Sequence, residues 1–287
     1  MDPITPFNSD VIDTLRLDVV TCGNLEIELI VLVNEFLRLL RAANGFKPWA
    51  DKIVYRTFDS FDEAIAANPE LIDNNTLSSR GPNKNYMDWS RDNFQYNYCG
   101  KVLKELGAQD DDIIIQTCAD EILSKDTFDL CRTSIESNKS KNWNFMFQMT
   151  LFMYKFNVIH KSWPRTDTTG NLMPYRVYKQ QLIGTVREHR ICTDIIGDAG
   201  WHFCTMDKEG DGSMVQAKYQ AWGHSRDQEP GRKTKYELTK EEALERFFED
   251  MAIERVVEVS LENHPAYIVN NQEKWADYIV PAEEFNS

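Results

Sequence analysis

Apolar and polar positions along this chain follow two periods, and the switches between them mark its elements. A short apolar run from Leu15 to Val20 ends in Thr21-Cys22-Gly23-Asn24, and apolar residues then recur at helical spacing through Leu40. That pattern predicts a strand, a tight loop and a helix. Ile53 to Thr57 predicts a second strand, Phe61 to Ala67 a short helix ended near Pro69, and the Asn-, Ser- and Gly-rich stretch 73–85 a loop. Met87 to Leu106 predicts a helix with a mixed face. The β-branched run Ile113-Ile114-Ile115, framed by acidic and polar residues, predicts a strand buried on both faces in the middle of a sheet. Ser124 to Ile135 predicts a helix that packs Leu130 and Ile135 inward. Asn144 to Ile159 is dense in Phe, Met and Tyr and alternates in part like a strand, so its aromatics belong to the core. Tyr175 to Val186 predicts a further strand. Gly197 and Gly200 frame a loop, and the charged run Ser225 to Lys235 predicts a mobile one. Thr239 and Glu242 have capping-box spacing at the start of a helix that runs to about Met251, and a closing turn or strand and a last short helix follow.

Composition narrows the class. The chain has 287 residues and no Pro/Gly/Ser-rich spacer or repeat, which predicts one compact α/β domain over 1–287. A formal net charge of −14 argues against a nucleic-acid surface, whereas an acidic protein can still bind a nucleotide through a metal ion. Met1 to Asp10 lacks a basic region followed by an apolar core, and the apolar stretch from Leu25 to Leu40 is broken by Glu26, Glu28, Asn34, Glu35 and Arg38. A soluble, cytoplasmic protein without a membrane span is expected. The six cysteines are dispersed, which predicts free thiols.

Candidate chemistry gathers after the isoleucine run. In open α/β sheets, ligands collect at the carboxyl ends of strands, so Asp120 and Glu121 are candidates to hold Mg²⁺ or Mn²⁺ against the phosphates of a nucleotide. The alternative is that both merely start the following helix, where acidic side chains favour the positive end of the dipole. Arg91 and Gln95, four apart, could hold a polar ligand together or form an exposed stripe. The loop at Thr21 could offer backbone N–H groups to a nucleotide, as many α/β proteins do. Asp198 is a candidate general base. His202 is a candidate ligand or donor, or else a satisfied structural residue, and His224 is a further imidazole. His264, before Pro265, reads as structural.

Several of these pieces line up. Trp89-Ser90-Arg91-Asp92-Asn93-Phe94-Gln95, then Asp112-Ile113-Ile114-Ile115 with Ala119-Asp120-Glu121-Ile122, then Asp198-Ala199-Gly200-Trp201-His202-Phe203, then Lys218 with His224, resemble glycosyltransferase family 17, in order and in spacing. The resemblance covers roughly Tyr86 to His224, with a fainter echo from Pro265 to Trp275. It implies a nucleotide-sugar transferase fold of the GT-A type, a mixed central sheet flanked by helices, with Mn²⁺ or Mg²⁺ and an inverting transfer. The donor it implies is a UDP-sugar, with N-acetylglucosamine the family's usual sugar, and the acceptor a hydroxyl of a glycan or glycoprotein such as an N-glycan; the residues equally allow a pentose such as xylose. Within it Asp120 would hold the metal, with His224 or His202 completing the shell. Asp198 would be the base, with Glu121 and Glu188 in reserve; Arg91 and Gln95 would assist donor binding and Trp201 would stack on a sugar. One departure stands out: Cys118 occupies the position of the first carboxylate of the family's Asp-Val-Asp-Glu, whose expected partner is the ribose. That leaves two alternatives, a noncatalytic glycan-binding relative and a metal-dependent phosphoester hydrolase. The lack of signal and anchor suits a bacterial or viral type of enzyme.

Overall fold

The structure, a computed structural model, describes residues 29–32, 53–56, 58, 60–72, 86–118, 120–138, 141–160, 166–221 and 231–281. In chain order, strands β1 (Leu29–Leu32) and β2 (Ile53–Arg56) form a parallel pair, followed by helices α1 (Phe61–Ala67) and α2 (Tyr86–Glu105). Then come β3 (Ile113–Gln116), β4 (Glu121–Leu123), α3 (Lys125–Asn138), β5 (Phe145–Met153), β6 (Val158–His160) and β7 (Thr166–Pro174). The short helices α4 (Tyr175–Tyr178) and α5 (Ile183–Glu188) lead to β8 (Asp194–Ile196) and β9 (Gly200–Cys204). Helices α6 (Ser213–Ala221) and α7 (Lys240–Asp250), strand β10 (Ile253–Val256) and helix α8 (Ala266–Asn270) complete the described chain. The main sheet has six strands in the order β3-β7-β5-β9-β4, with β8 beside β5. It is mixed: β5 runs antiparallel to β7 and parallel to β8 and β9.

Strand β5 is the axis of the core, because side chains on a strand alternate between faces and here both faces are covered. Phe145, Phe147 and Met149 point into a cluster with Leu123, Phe128 and Cys131 under α3, and Leu151 and Met153 continue that face into a cluster with Val215, Tyr219 and Phe247 from α6 and α7. Phe152 points the other way, onto Phe203, Ile159, Val259 and Ile268. Each such large side chain, fully buried, contributes roughly 1.5–3 kcal/mol. The Phe- and Met-rich pattern of 144–159 thus yields β5 and β6, as expected. Thr239 caps α7 with its side chain on Glu242 N, and Glu242 returns the bond, as the spacing required. No described helix is long and apolar enough to cross a membrane.

Four expectations are corrected. Leu130, expected to pack inward from α3, is exposed, whereas Ile135 does pack against the core. Leu29–Leu32, inside the predicted first helix, is a strand paired with β2. Tyr175 to Val186 is not a strand but α4 and α5, because the strand lies just before it and ends at Pro174. Proline lacks the N–H that would continue the ladder, and its fixed φ suits a helix start. Last, β3 lies at one end of the described sheet rather than in its middle, paired with β7 alone among the described residues. Ile113 is buried and Ile114 and Ile115 are half-buried beneath neighbouring clusters, so the apolar run reports layers above and below, not strands on both sides. The loops expected at 73–85 and after 221, the Leu15–Val20 strand and the rest of the first helix fall outside the described residues, apart from the 3₁₀ turn Lys235–Glu237.

Gly200 fixes how closely β9 approaches β4. Its φ is +143°, and a Cβ there would stand 2.1 Å from the Ile122 carbonyl oxygen and 2.8 Å from Ser124 N. Gly200→Ala should therefore lower the free energy of unfolding by on the order of 2 kcal/mol or more in a denaturant titration. A loss near zero would mean that the two backbones are not this close.

Candidate active site

The turn from β3 to β4 gives two neighbouring carboxylates, which offer oxygens within 4.8 Å of each other, different partners and different exposure. Glu121 faces inward and is buried. Its Oε1 accepts from Thr169 Oγ1 at 2.5 Å and from Arg187 Nη2, and its Oε2 accepts from Cys118 N at 2.8 Å and from Arg187 Nη1 at 3.3 Å. Thr169 comes from β7 and Arg187 from α5, so two elements far apart in sequence converge on one side chain. The Arg187 guanidinium also lies 5.1 Å from the centroid of Tyr96 on α2, and the Tyr96 hydroxyl lies 2.9 Å from Cys118 Sγ. Burial pushes the Cys118 thiol up to about 12, reinforced by Glu121, and burial likewise pushes Tyr96 well above the usual phenol range. Burial opposes the charge of Arg187, but Tyr96, Cys118 and Glu121 outweigh it and raise its pKa. The pocket therefore holds one negative and one positive charge, with a neutral thiol and phenol beside them.

Asp120 is the more exposed of the two. Its carbonyl accepts from Phe203 N at 2.8 Å, which docks the turn on β9, and the register sets Glu121 opposite His202. His202 is then held between two carboxylates, with Nε2 3.5 Å from Asp120 Oδ2 and Nδ1 3.2 Å from Asp167 Oδ2. Arg190 approaches the other Asp167 oxygen at 3.3 Å. Burial would lower His202, but the bonds to Asp120 and Asp167 override it and raise the imidazole to about 10. Burial would likewise raise both aspartates, yet His202 holds each below the usual carboxylate range, helped by Lys218 at Asp120 and by Arg190 and Arg187 at Asp167. With its side chain 37% exposed, Asp120 remains the accessible carboxylate of the pair; that of Glu121 is 0% exposed.

The donor atoms can be weighed as a cation site. Cys118, Asp120 and Glu121 each offer one ligand atom within 4.8 Å of the others. Glu121 already has Arg187, Thr169 and Cys118 N on its oxygens, and Cys118 is a protonated thiol at neutral pH, so a hard ion fits Asp120 alone among the three. The family model for glycosyltransferase family 17 matches residues 10–283. The chain belongs to glycosyltransferase family 17. Comparison with curated proteins and with solved structures found no match.

In this glycosyltransferase the structure brings Cys118, Asp120 and His202 together. It does not bring Asp198 to them. Asp198 is exposed in the turn between β8 and β9 with φ +50°, past the end of the β4–β9 ladder at which Gly200 faces Leu123. Trp201 packs on the Phe152 cluster and donates its indole N–H to the Asn263 carbonyl at 2.9 Å. Gln95 is half-buried on α2, but the α2 contact with Cys118 comes from its neighbour Tyr96. Arg91 lies on α2 with its side chain outside the described residues, as do Thr21 and His224 altogether. Glu188 is exposed at the end of α5. His264 is buried and structural: Nε2 lies 2.9 Å from the Phe156 carbonyl, the ring rests on Phe152, and burial lowers its pKa. Sequence reasoning missed Tyr96, Asp167, Thr169 and Arg187. Removing one partner of a buried ion pair strands the other, so Arg187→Met should cost on the order of 3–5 kcal/mol in a denaturant titration, and Arg187→Met with Glu121→Leu should cost less than that single change. A double variant no better than Arg187→Met would refute the pairing.

Proposed function

We propose that this family 17 enzyme moves N-acetylglucosamine, or a pentose such as xylose, from a UDP-sugar to a hydroxyl of a glycan or glycoprotein, with inversion and a β-linkage. The observation that carries this reading is the open Asp120 carboxylate, presented at the β3–β4 turn and oriented by His202 in a chain matched to the family over 10–283. The mixed sheet flanked by helices supports a GT-A arrangement in a single domain. Asp120 would hold Mn²⁺ or Mg²⁺, with His224 as a further ligand, and such an ion supplies charge neutralisation for the departing diphosphate.

The chain's own residues divide the remaining tasks. Asp167 lies beside one His202 nitrogen and Asp120 beside the other, so we assign His202 to orienting Asp120. Glu121 is buried with both oxygens engaged by Arg187, Thr169 and Cys118 N, so we assign the base to Asp198. Inverting displacement needs that base on the face opposite the leaving group. Asp198 is four positions before His202, a span of at most about 13 Å at the strand rise, which is room for a sugar between base and diphosphate. The Asp198 carboxylate would accept the proton of the acceptor hydroxyl as its oxygen attacks. Gln95 and Arg91 on α2 would flank the donor.

The test is release of UDP from a panel of UDP-sugars with Mn²⁺. Asp120→Asn should reduce release by about 100-fold or more, and Asp198→Asn should lower kcat while leaving donor affinity intact. No release from any donor, together with glycan binding, would replace this reading with a noncatalytic glycan-binding one, for which the neutral Cys118 is the motive.

A further inference from the structure

Lys218 has no role in the arrangement so far, yet its side chain is drawn into it. It lies on α6 one residue before Tyr219 and three after Val215, both of which pack into the core beside β5. Val215 and Lys218, three apart, share a helix face, and the Lys218 ammonium reaches the end of β9, 3.1 Å from Cys204 Sγ. An ammonium has three donors, and a thiol is a weak acceptor. Among the described residues that sulfur is its hydrogen-bond partner; Asp120 acts on it through charge. Burial alone would lower the Lys218 pKa, but Cys204 and Asp120 outweigh burial and raise it, so the group is a cation. A desolvated cation with donors to spare is expensive to keep unless a ligand completes it.

Resting on the transferase reading above, we propose that the Lys218 ammonium binds the diphosphate of the nucleotide-sugar donor. The chemistry on the page favours an anion of this kind. Asp120 is negative and would repel a diphosphate, so a positive group beside it is needed in addition to any ion held there. The Arg187 charge is spent on Glu121 and the Arg190 guanidinium on Asp167, whereas Lys218 retains donors. A flexible stem with a compact charge suits phosphate oxygens, whose charge increases as the sugar departs.

The experiment is calorimetric binding of UDP, inorganic diphosphate and uridine to the full chain and to Lys218→Met, with and without Mn²⁺, alongside thermal melting. UDP affinity should fall about tenfold or more in the variant, diphosphate binding should be lost, uridine binding should be unchanged, and Lys218→Arg should recover part of the loss. The melting temperature of Lys218→Met should equal or exceed the wild-type value, because an incompletely bonded buried charge has been removed. Unchanged UDP binding in Lys218→Met overturns the inference, and so does an equal loss of UDP and uridine with a lower melting temperature, which marks a structural lysine. A wild-type chain that binds neither UDP nor diphosphate defeats the donor reading itself and this inference with it.

Discussion

Two adjacent carboxylates at the entry of β4 are held by two different cations, and the site is built on that division. Asp120 ends the turn and Glu121 begins the strand, so the two meet different surroundings although they offer oxygens within 4.8 Å of each other. Glu121 therefore goes inward to Arg187, while Asp120 goes outward to His202. The inner pair is shielded from water and fully hydrogen-bonded, so it fixes the turn; the outer one keeps part of its surface open. Were the register of β4 against β9 to slip by one residue, Glu121 would turn to the other face of the sheet and the buried charge would lose its partner. The close approach at Gly200 and the bond from Phe203 N to the Asp120 carbonyl are what hold that register.

The inner half of this arrangement depends on a strand with a polar interior. Thr169 and Asn171 of β7 are buried, one bonded to Glu121 and the other to Asn144. Between them Gly170 adopts φ +59°, and the pairing of β7 with β5 skips a residue there. That bulge re-aims the strand, and Asp167, three residues earlier, reaches His202. Strand β7 thus serves both carboxylates, Glu121 through Thr169 and Asp120 through Asp167 and His202.

Local signals in the sequence single out two members of the outer half, which the structure places side by side. Asp120 after an isoleucine run, and His202 after a glycine-framed turn, are readable because each stands beside its own strand signal. The Phe- and Met-rich stretch gave β5, and Thr239 with Glu242 gave the start of α7. The inner half was not readable, because its members meet only in three dimensions: Arg187 is 66 positions from Glu121, Thr169 is 48 away, and Tyr96 is 22 from Cys118. Strand β7 was missed for a related reason. Thr166-Asp167-Thr168-Thr169-Gly170-Asn171 has the composition of a loop, and its burial is compensated by hydrogen bonds rather than by apolar contact. Tyr175 to Val186 misled in the opposite direction, since aromatic and β-branched residues bury as readily on short helices as on strands.

Cys118 is the residue at which family resemblance and structure have to be read together. In place of a carboxylate the chain has a neutral thiol bonded to Tyr96, which spares the pocket a second negative charge next to Glu121. In the proposed reading, the same substitution leaves Asp120 as the metal ligand of the turn. The decisive measurement is a crystal structure grown with Mn²⁺ and UDP, with the ion located by its anomalous scattering. A peak beside the Asp120 carboxylate, with Glu121 still paired to Arg187, is the expected result. A peak between Cys118 and Glu121 with Arg187 displaced, or no peak near the turn at all, would contradict the division of labour between the two carboxylates.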